Sequence, residues 1–182
     1  MLAVLAAFVL AQETVPTAPS ETAPPPRPAE AGPPLSTATP GDLSTAPPLP
    51  EGALLPVARD EHGETFLVAS RAGKSGDVAD FWTYEAFVPP VTVTLGVQAV
   101  QGLIHHAVDC PSKTDQIVAS AGYDESGAPV VALAASPSEP LVDGSAYARI
   151  ATKVCAGVPI PTTDALTGHA AALAEARQTP SP

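Results

Sequence analysis

The sequence predicts an α+β domain: an antiparallel β-sheet of about five to six strands with a C-terminal helix packed on it, preceded by a disordered proline-rich arm. Three observations predict this class. About half of the 23 prolines fall between Pro16 and Pro50, in a stretch of Pro, Ala, Thr, Ser and Glu that buries too little apolar surface to offset chain entropy. From Glu51 onward, β-prone runs alternate with turn clusters. One run, Gly144 to Cys155, then shows helical spacing after the strands, and strands followed by a helix are the order of an α+β fold.

The chain has 182 residues, 45% hydrophobic and 15% charged, with a formal net charge of −11. This length accommodates one domain with tails. A nucleic-acid binder carries a basic patch, whereas Arg59, Arg71, Lys74, Lys113, Arg149 and Lys153 are scattered singly. Neither nucleic acid nor an anionic membrane surface is therefore an expected partner. The sequence contains no asparagine, so no N-x-[ST] acceptor for N-linked glycan exists.

Residues 1–11 read as a secretory signal peptide. The apolar run from Met1 to Ala11 is shorter than the ~20 residues of a membrane span, and Val9-Leu10-Ala11 puts small residues before a cleavage point at Gln12. No integral membrane span is expected after its removal. Residues 12–50 form the linker, which proline biases toward an extended polyproline conformation. A spacer is the plain reading, and Pro25-Pro26-Arg27-Pro28 also suits a proline-reading domain.

Within the folded unit, 51–157, Leu54 to Arg59 and Glu64 to Ala69 are strands joined by an Asp60–Gly63 turn. Arg71 to Gly76 reads as a second turn. Asp77 to Val88 is an aromatic strand with Phe81, Trp82, Tyr84 and Phe87, ended by Pro89-Pro90, since proline cannot donate to a ladder. Val91 to Val100 reads as a loop or an edge. Leu103 to Cys110 is a strand with Ile104, His106, Val108 and Cys110 on one face and Leu103, His105, Ala107 and Asp109 on the other. Gln116–Tyr123 and Pro129–Ala135 form a hairpin about the Asp124–Gly127 turn. Asp143 or Ser145 caps the helix, whose packed face carries Tyr147, Ile150, Ala151 and Val154. The tail, 158–182, contains a short helix, Thr163 to Arg177, with a thin apolar face (Leu166, Ala170, Leu173); whether it docks is left open.

Cys110 ends the strand and Cys155 ends the helix, and the chain has no other cysteine. In an oxidising compartment a lone pair usually forms a bridge, so a Cys110–Cys155 disulfide is expected. The sequence offers no catalytic constellation, and no cofactor is expected. Gly73-Lys74-Ser75 mimics the end of a phosphate-binding loop, but the first glycine of that motif would fall at Val68. His105 and His106 point to opposite faces of a strand, and His106 lies ~13 Å along it from Cys110. That leaves an edge or surface histidine pair and no metal site. Trp82, Tyr84 and His106 are the residues that could line a binding site, with Trp82 and Tyr84 equally suited to a core.

The order of elements resembles the surface-adhesin protein E-like family of bacterial envelope proteins over about residues 52–156. The matching pieces are Glu61–Gly63 and Phe66, the aromatic strand at Trp82, and Val108-Asp109-Cys110 ending a strand. The hairpin after Gln116 follows, and then Pro140 through Gly144-Ser145 into the helix that stops at Val154-Cys155. The resemblance implies an antiparallel sheet with a C-terminal helix tied to it by the cysteine pair, and a periplasmic, surface or secreted location. The adhesive members use lysine- and arginine-bearing segments, whereas Val88 to Gln101 contains no basic residue. The expected function is an exported, non-enzymatic envelope or surface module in contact with another protein at the envelope or outside the cell. Two alternatives stand beside it: a periplasmic small-molecule-binding protein or enzyme with a pocket near Trp82 and His106, and a structural envelope protein.

Overall fold

The computed structural model describes residues 42–94 and 96–178; the expected signal at 1–11 and the arm as far as residue 41 lie outside them. The alternating runs build a meander. β1 (Ala53–Asp60), β2 (Gly63–Ser75), β3 (Val78–Thr94), β4 (Val97–Asp109), β5 (Thr114–Tyr123) and β6 (Pro129–Leu133) each pair antiparallel with the next. β7 (Glu139–Pro140) pairs with β5, α1 spans Ala146–Cys155, β8 (Leu166–Thr167) returns to β1, and α2 covers Gly168–Gln178. The sheet order is β6-β5-β4-β3-β2-β1-β8, with β7 off that path. Eight strands thus replace the expected five to six, because two-residue strands such as β7 and β8 are too short to show a period of two.

Three local expectations are corrected. Arg71–Gly76 is not a turn: β2 bulges between Leu67 and Ala72, then pairs Ala72 with Phe81 and Lys74 with Ala79. Only Gly76 takes a left-handed φ, 58°, and it occupies the tight turn that glycine tolerates. Pro89-Pro90 does not end β3. The prolines sit where the β3–β4 register shifts between Ala86 and Val91, a bulge that needs no ladder N–H from them. Beyond it Val91 pairs with Ala99 and Thr92 with Gln98, so this stretch is a hairpin arm.

The third correction concerns the arm, which does not extend to Pro50. Asp42 caps a single 3-10 turn, Leu43–Thr45. Ala46 and Leu49 pack on the core, Pro50 is buried, and the Tyr123 hydroxyl donates to the Pro47 carbonyl. A proline-rich sequence loses little entropy on docking because its backbone is already restricted, so composition alone overstates its disorder.

Strand alternation sends side chains to two faces, and both faces are covered. On one face Leu67, Ala79, Phe81 and Val108 meet Ile150, Ala151 and Val154 of α1. On the other, Leu54, Phe66, Tyr84, Leu103 and Tyr123 meet Ala172, Leu173 and Ala176 of α2. α2 therefore docks. It begins at Gly168, not at Thr163, and Ala170 is exposed. Thr163–Ala165 stays irregular and β8 intervenes.

α1 starts at Ser145, whose hydroxyl accepts from the Ala148 N–H at 3.1 Å. It has 10 residues, too few to be stable alone in water. Burial of Ile150 and Val154 contributes roughly 1.5–3 kcal/mol each. The expected disulfide completes the attachment: Cys155, the last residue of α1, is bonded to Cys110 at the end of β4, with Cα atoms 5.7 Å apart. It closes a 45-residue separation, for which loop-closure entropy gives about 4 kcal/mol. The oxidised chain should show no thiol reactive toward a maleimide, even in denaturant. A Cys110→Ala/Cys155→Ala variant should lose roughly 2–4 kcal/mol in urea denaturation; an unchanged midpoint would contradict the role assigned to the bond.

Candidate binding surface

The sequence candidates do not converge. Trp82 and Tyr84 lie on the α2 face of β3, while His106 lies on the α1 face of β4, opposite Phe81 in the register. Tyr84 is fully buried and donates to Gln101 Oε1 at 2.9 Å. Trp82 is half-buried, stacked on His105 with ring centroids 4.5 Å apart and with the Arg71 guanidinium 5.2 Å from its ring. A single pocket shared by Trp82 and His106 is therefore not formed, since the sheet separates them.

The expectation of a surface histidine pair is corrected. His106 is fully buried, sandwiched between Phe81 at 4.9 Å and Tyr147 of α1 at 4.6 Å. Its Nδ1 is 2.8 Å from Asp115 Oδ2 and its Nε2 is 3.3 Å from Thr83 Oγ1. With Asp115 ionised, Nδ1–H donates to the carboxylate and Nε2 accepts from the threonine hydroxyl. Thr83, His106 and Asp115 stand in the order of a nucleophile, base and orienting acid. Thr83 is 0% exposed, however, and its hydroxyl does not face solvent. Among the described residues no group of three His, Cys, Asp or Glu could hold a metal ion.

Glu85 completes this layer beneath α1. Its Oε2 accepts from the Thr65 hydroxyl at 2.7 Å and its Oε1 from the Tyr147 hydroxyl at 3.3 Å. Burial pushes its carboxyl up to about 7, and the nearby Asp60 charge adds to the rise; the hydrogen bonds from Thr65 and Tyr147 oppose it. Burial likewise raises the Tyr147 hydroxyl well above its usual range. The layer is thus a polar seam between sheet and helix, and Tyr147 bridges its two halves.

Beside the seam the α1 face is open. β8 pairs with β1 only at Ala53 and Leu54, so the outer edge of β1 from Leu55 onward has no strand neighbour. Between that edge and α1 lies a trough of about 450 Å³ floored by Leu55, Val57, Leu67, Ile150, Ile160 and Pro161. Arg149 and Lys153 stand on its helical wall, four residues apart and hence neighbours on one helix face. Arg149 is held in place, donating to the Gly144 carbonyl at 2.9 Å and to the Val57 carbonyl at 3.2 Å. A second concavity of about 410 Å³ continues past Ile160 toward Lys74 and Val158. The i, i+4 spacing of Arg149 and Lys153 was visible in the sequence; the apolar floor was not, because it joins residues about a hundred positions apart.

No protein-family model, curated protein or solved structure matches the chain. No helix among the described residues is long and apolar enough to cross a membrane.

The raised Glu85 group has a definite pH signature. A carboxyl with a higher pKa folded than unfolded contributes nothing against stability below the unfolded value of 4.5, and destabilises progressively as pH rises toward about 7. Glu85→Gln should remove that slope and leave the variant more stable than wild type at pH 8, by up to about 3 kcal/mol. Urea denaturation at pH 4.5 and pH 8 reads it; parallel pH profiles for both chains would contradict the buried carboxyl.

Proposed function

We propose that this chain is an exported, non-enzymatic α+β module of the cell envelope or cell exterior, and that its work is contact with another protein, adhesin-like in kind. The observation that carries the reading is the Cys110–Cys155 bond, which ties the only two cysteines together across strand and helix. Structural disulfides persist where the compartment is oxidising. The resemblance of residues 52–156 to the surface-adhesin protein E-like family supports the same address. The contact surface is the open α1 face, where a rigidly held helix wall presents an apolar floor to solvent. Trp82, with His105 and Arg71 beside it, is half-buried on the opposite face, and serves the fold.

Cell fractionation followed by chemical cross-linking and pull-down tests address and partner together. The chain should appear in the periplasmic, surface or secreted fraction in disulfide-bonded form, cross-linked to one or a few proteins. Recovery in the cytosol with reduced thiols would overturn the export reading. Recovery outside the cytosol with envelope damage on deletion and no specific cross-link would favour a structural envelope role instead.

A further inference from the structure

On the reading that this chain is a contact module, we propose that the α1 trough binds an extended, acidic peptide segment of a partner protein, with apolar side chains on the floor and carboxylates against Arg149, Lys153 and Lys74. The inference begins with charge. The chain is strongly acidic, with 19 Asp and Glu against 8 Lys and Arg, so its cations have an ample supply of internal partners. Arg59 pairs with Glu64, and Arg177 forms two hydrogen bonds to Glu125, at 2.7 and 2.6 Å. Five of the seven described Lys and Arg side chains form no ion pair with a described carboxylate: Arg71 lies over the Trp82 ring, Lys113 sits in the turn between β4 and β5, and the remaining three are Arg149, Lys153 and Lys74. All three line the two concavities along α1. Lys74 is steadied by the Cys155 carbonyl at 3.0 Å, and Arg149 by Gly144 and Val57. Arg149 retains further guanidinium donors for a carboxylate.

The distribution of these charges selects the occupant. α1 is ~15 Å long, with Arg149 near its start and Lys153 near its end. Lys74 reaches the carbonyl of its last residue. A single-headed amphiphile offers one anion and would leave two cations unmatched. An extended peptide with a carboxylate at alternate positions places one roughly every 7 Å and sends the intervening side chains to the opposite side. It therefore matches both the row of cations and the apolar floor. Pro56, in the middle of the exposed β1 edge, lacks an N–H and limits full strand addition, so side chains rather than a continuous ladder hold the peptide. The local cations also offset a net charge that would otherwise repel an acidic partner.

The test uses the full oxidised chain and a fluorescein-labelled peptide of about ten residues that alternates glutamate with leucine and valine, read by fluorescence anisotropy. A glutamine-for-glutamate version and myristate serve as competing probes. The glutamate peptide should bind, the glutamine version should bind at least about tenfold more weakly, and added salt should weaken the former. Arg149→Glu/Lys153→Glu should abolish binding, whereas Arg71→Glu/Arg177→Glu, with the same change in net charge away from the trough, should not. Both residues of the first pair are exposed, and thermal melting checks that the variant is folded. Lys153→Gln gives a milder second variant, with an expected loss of several-fold. Equal binding of the two peptides, no binding of either, equal loss in both charge-reversed variants, or binding of myristate alone would each overturn the proposal. None of those outcomes touches the export reading, which stands or falls on fractionation.

Discussion

A helix of 10 residues persists here because its far end is covalently bonded to the sheet. Short helices do not hold themselves in water, and α1 brings only Ile150, Ala151 and Val154 fully into the core. The Cys110–Cys155 bond fixes the C-terminal end, Ser145 caps the N-terminal end, and Tyr147 reaches between His106 and Glu85 in the first turn. Everything assigned to the α1 face follows from that attachment. The polar seam is buried because the helix covers it, and the trough exists because the helix stands off from an edge strand that β8 meets only at its first two residues.

The seam and the trough divide the labour on this face. In the seam, most polar groups bond one another: Thr65 and Tyr147 bond Glu85, and Thr83 and Asp115 bond His106, leaving only Asp115 Oδ1 among the described buried side-chain atoms without a partner. Buried polar groups linked in this way specify one docking geometry for a helix that apolar contacts alone would leave free to slide. In the trough the polar groups are instead left to the outside: Arg149 is pinned by carbonyls and its charge stays open to the proposed partner. A wall that is fixed before binding lowers the ordering cost of association. This is the physical link between the disulfide and the proposed contact surface.

Much of the scaffold was legible from local pattern. The Asp124–Gly127 turn, the cap at Ser145, the helix face of Ile150 and Val154, and the opposite facing of His105 and His106 all follow from periods of two and 3.6 and from turn chemistry. Where the reading failed, a non-local effect overrode a local signal. Gly73 looked like a turn residue, but β3 supplied a ladder for it at Asp80. Pro89-Pro90 looked like a strand end, but the bulge absorbed both residues. Pro47 and Pro50 looked disordered, but Tyr123 and the sheet gave them a seat. His106 looked superficial because α1, some forty residues later, is what buries it. The site was less legible still: its floor joins β1, β2, α1 and the segment at Ile160 and Pro161, and no window of sequence contains them together.

Hydrogen exchange on the oxidised and reduced chains tests the central claim, that the disulfide holds α1 as a wall on an otherwise self-supporting sheet. On reduction, amides of α1 and the neighbouring Gly157–Ile160 segment should lose protection, while those of β3, β4 and β5 keep theirs. Unchanged protection in α1 would show that the bond does not hold the helix. Equal loss across the whole sheet would show that the sheet does not stand without it, and either result would contradict the account.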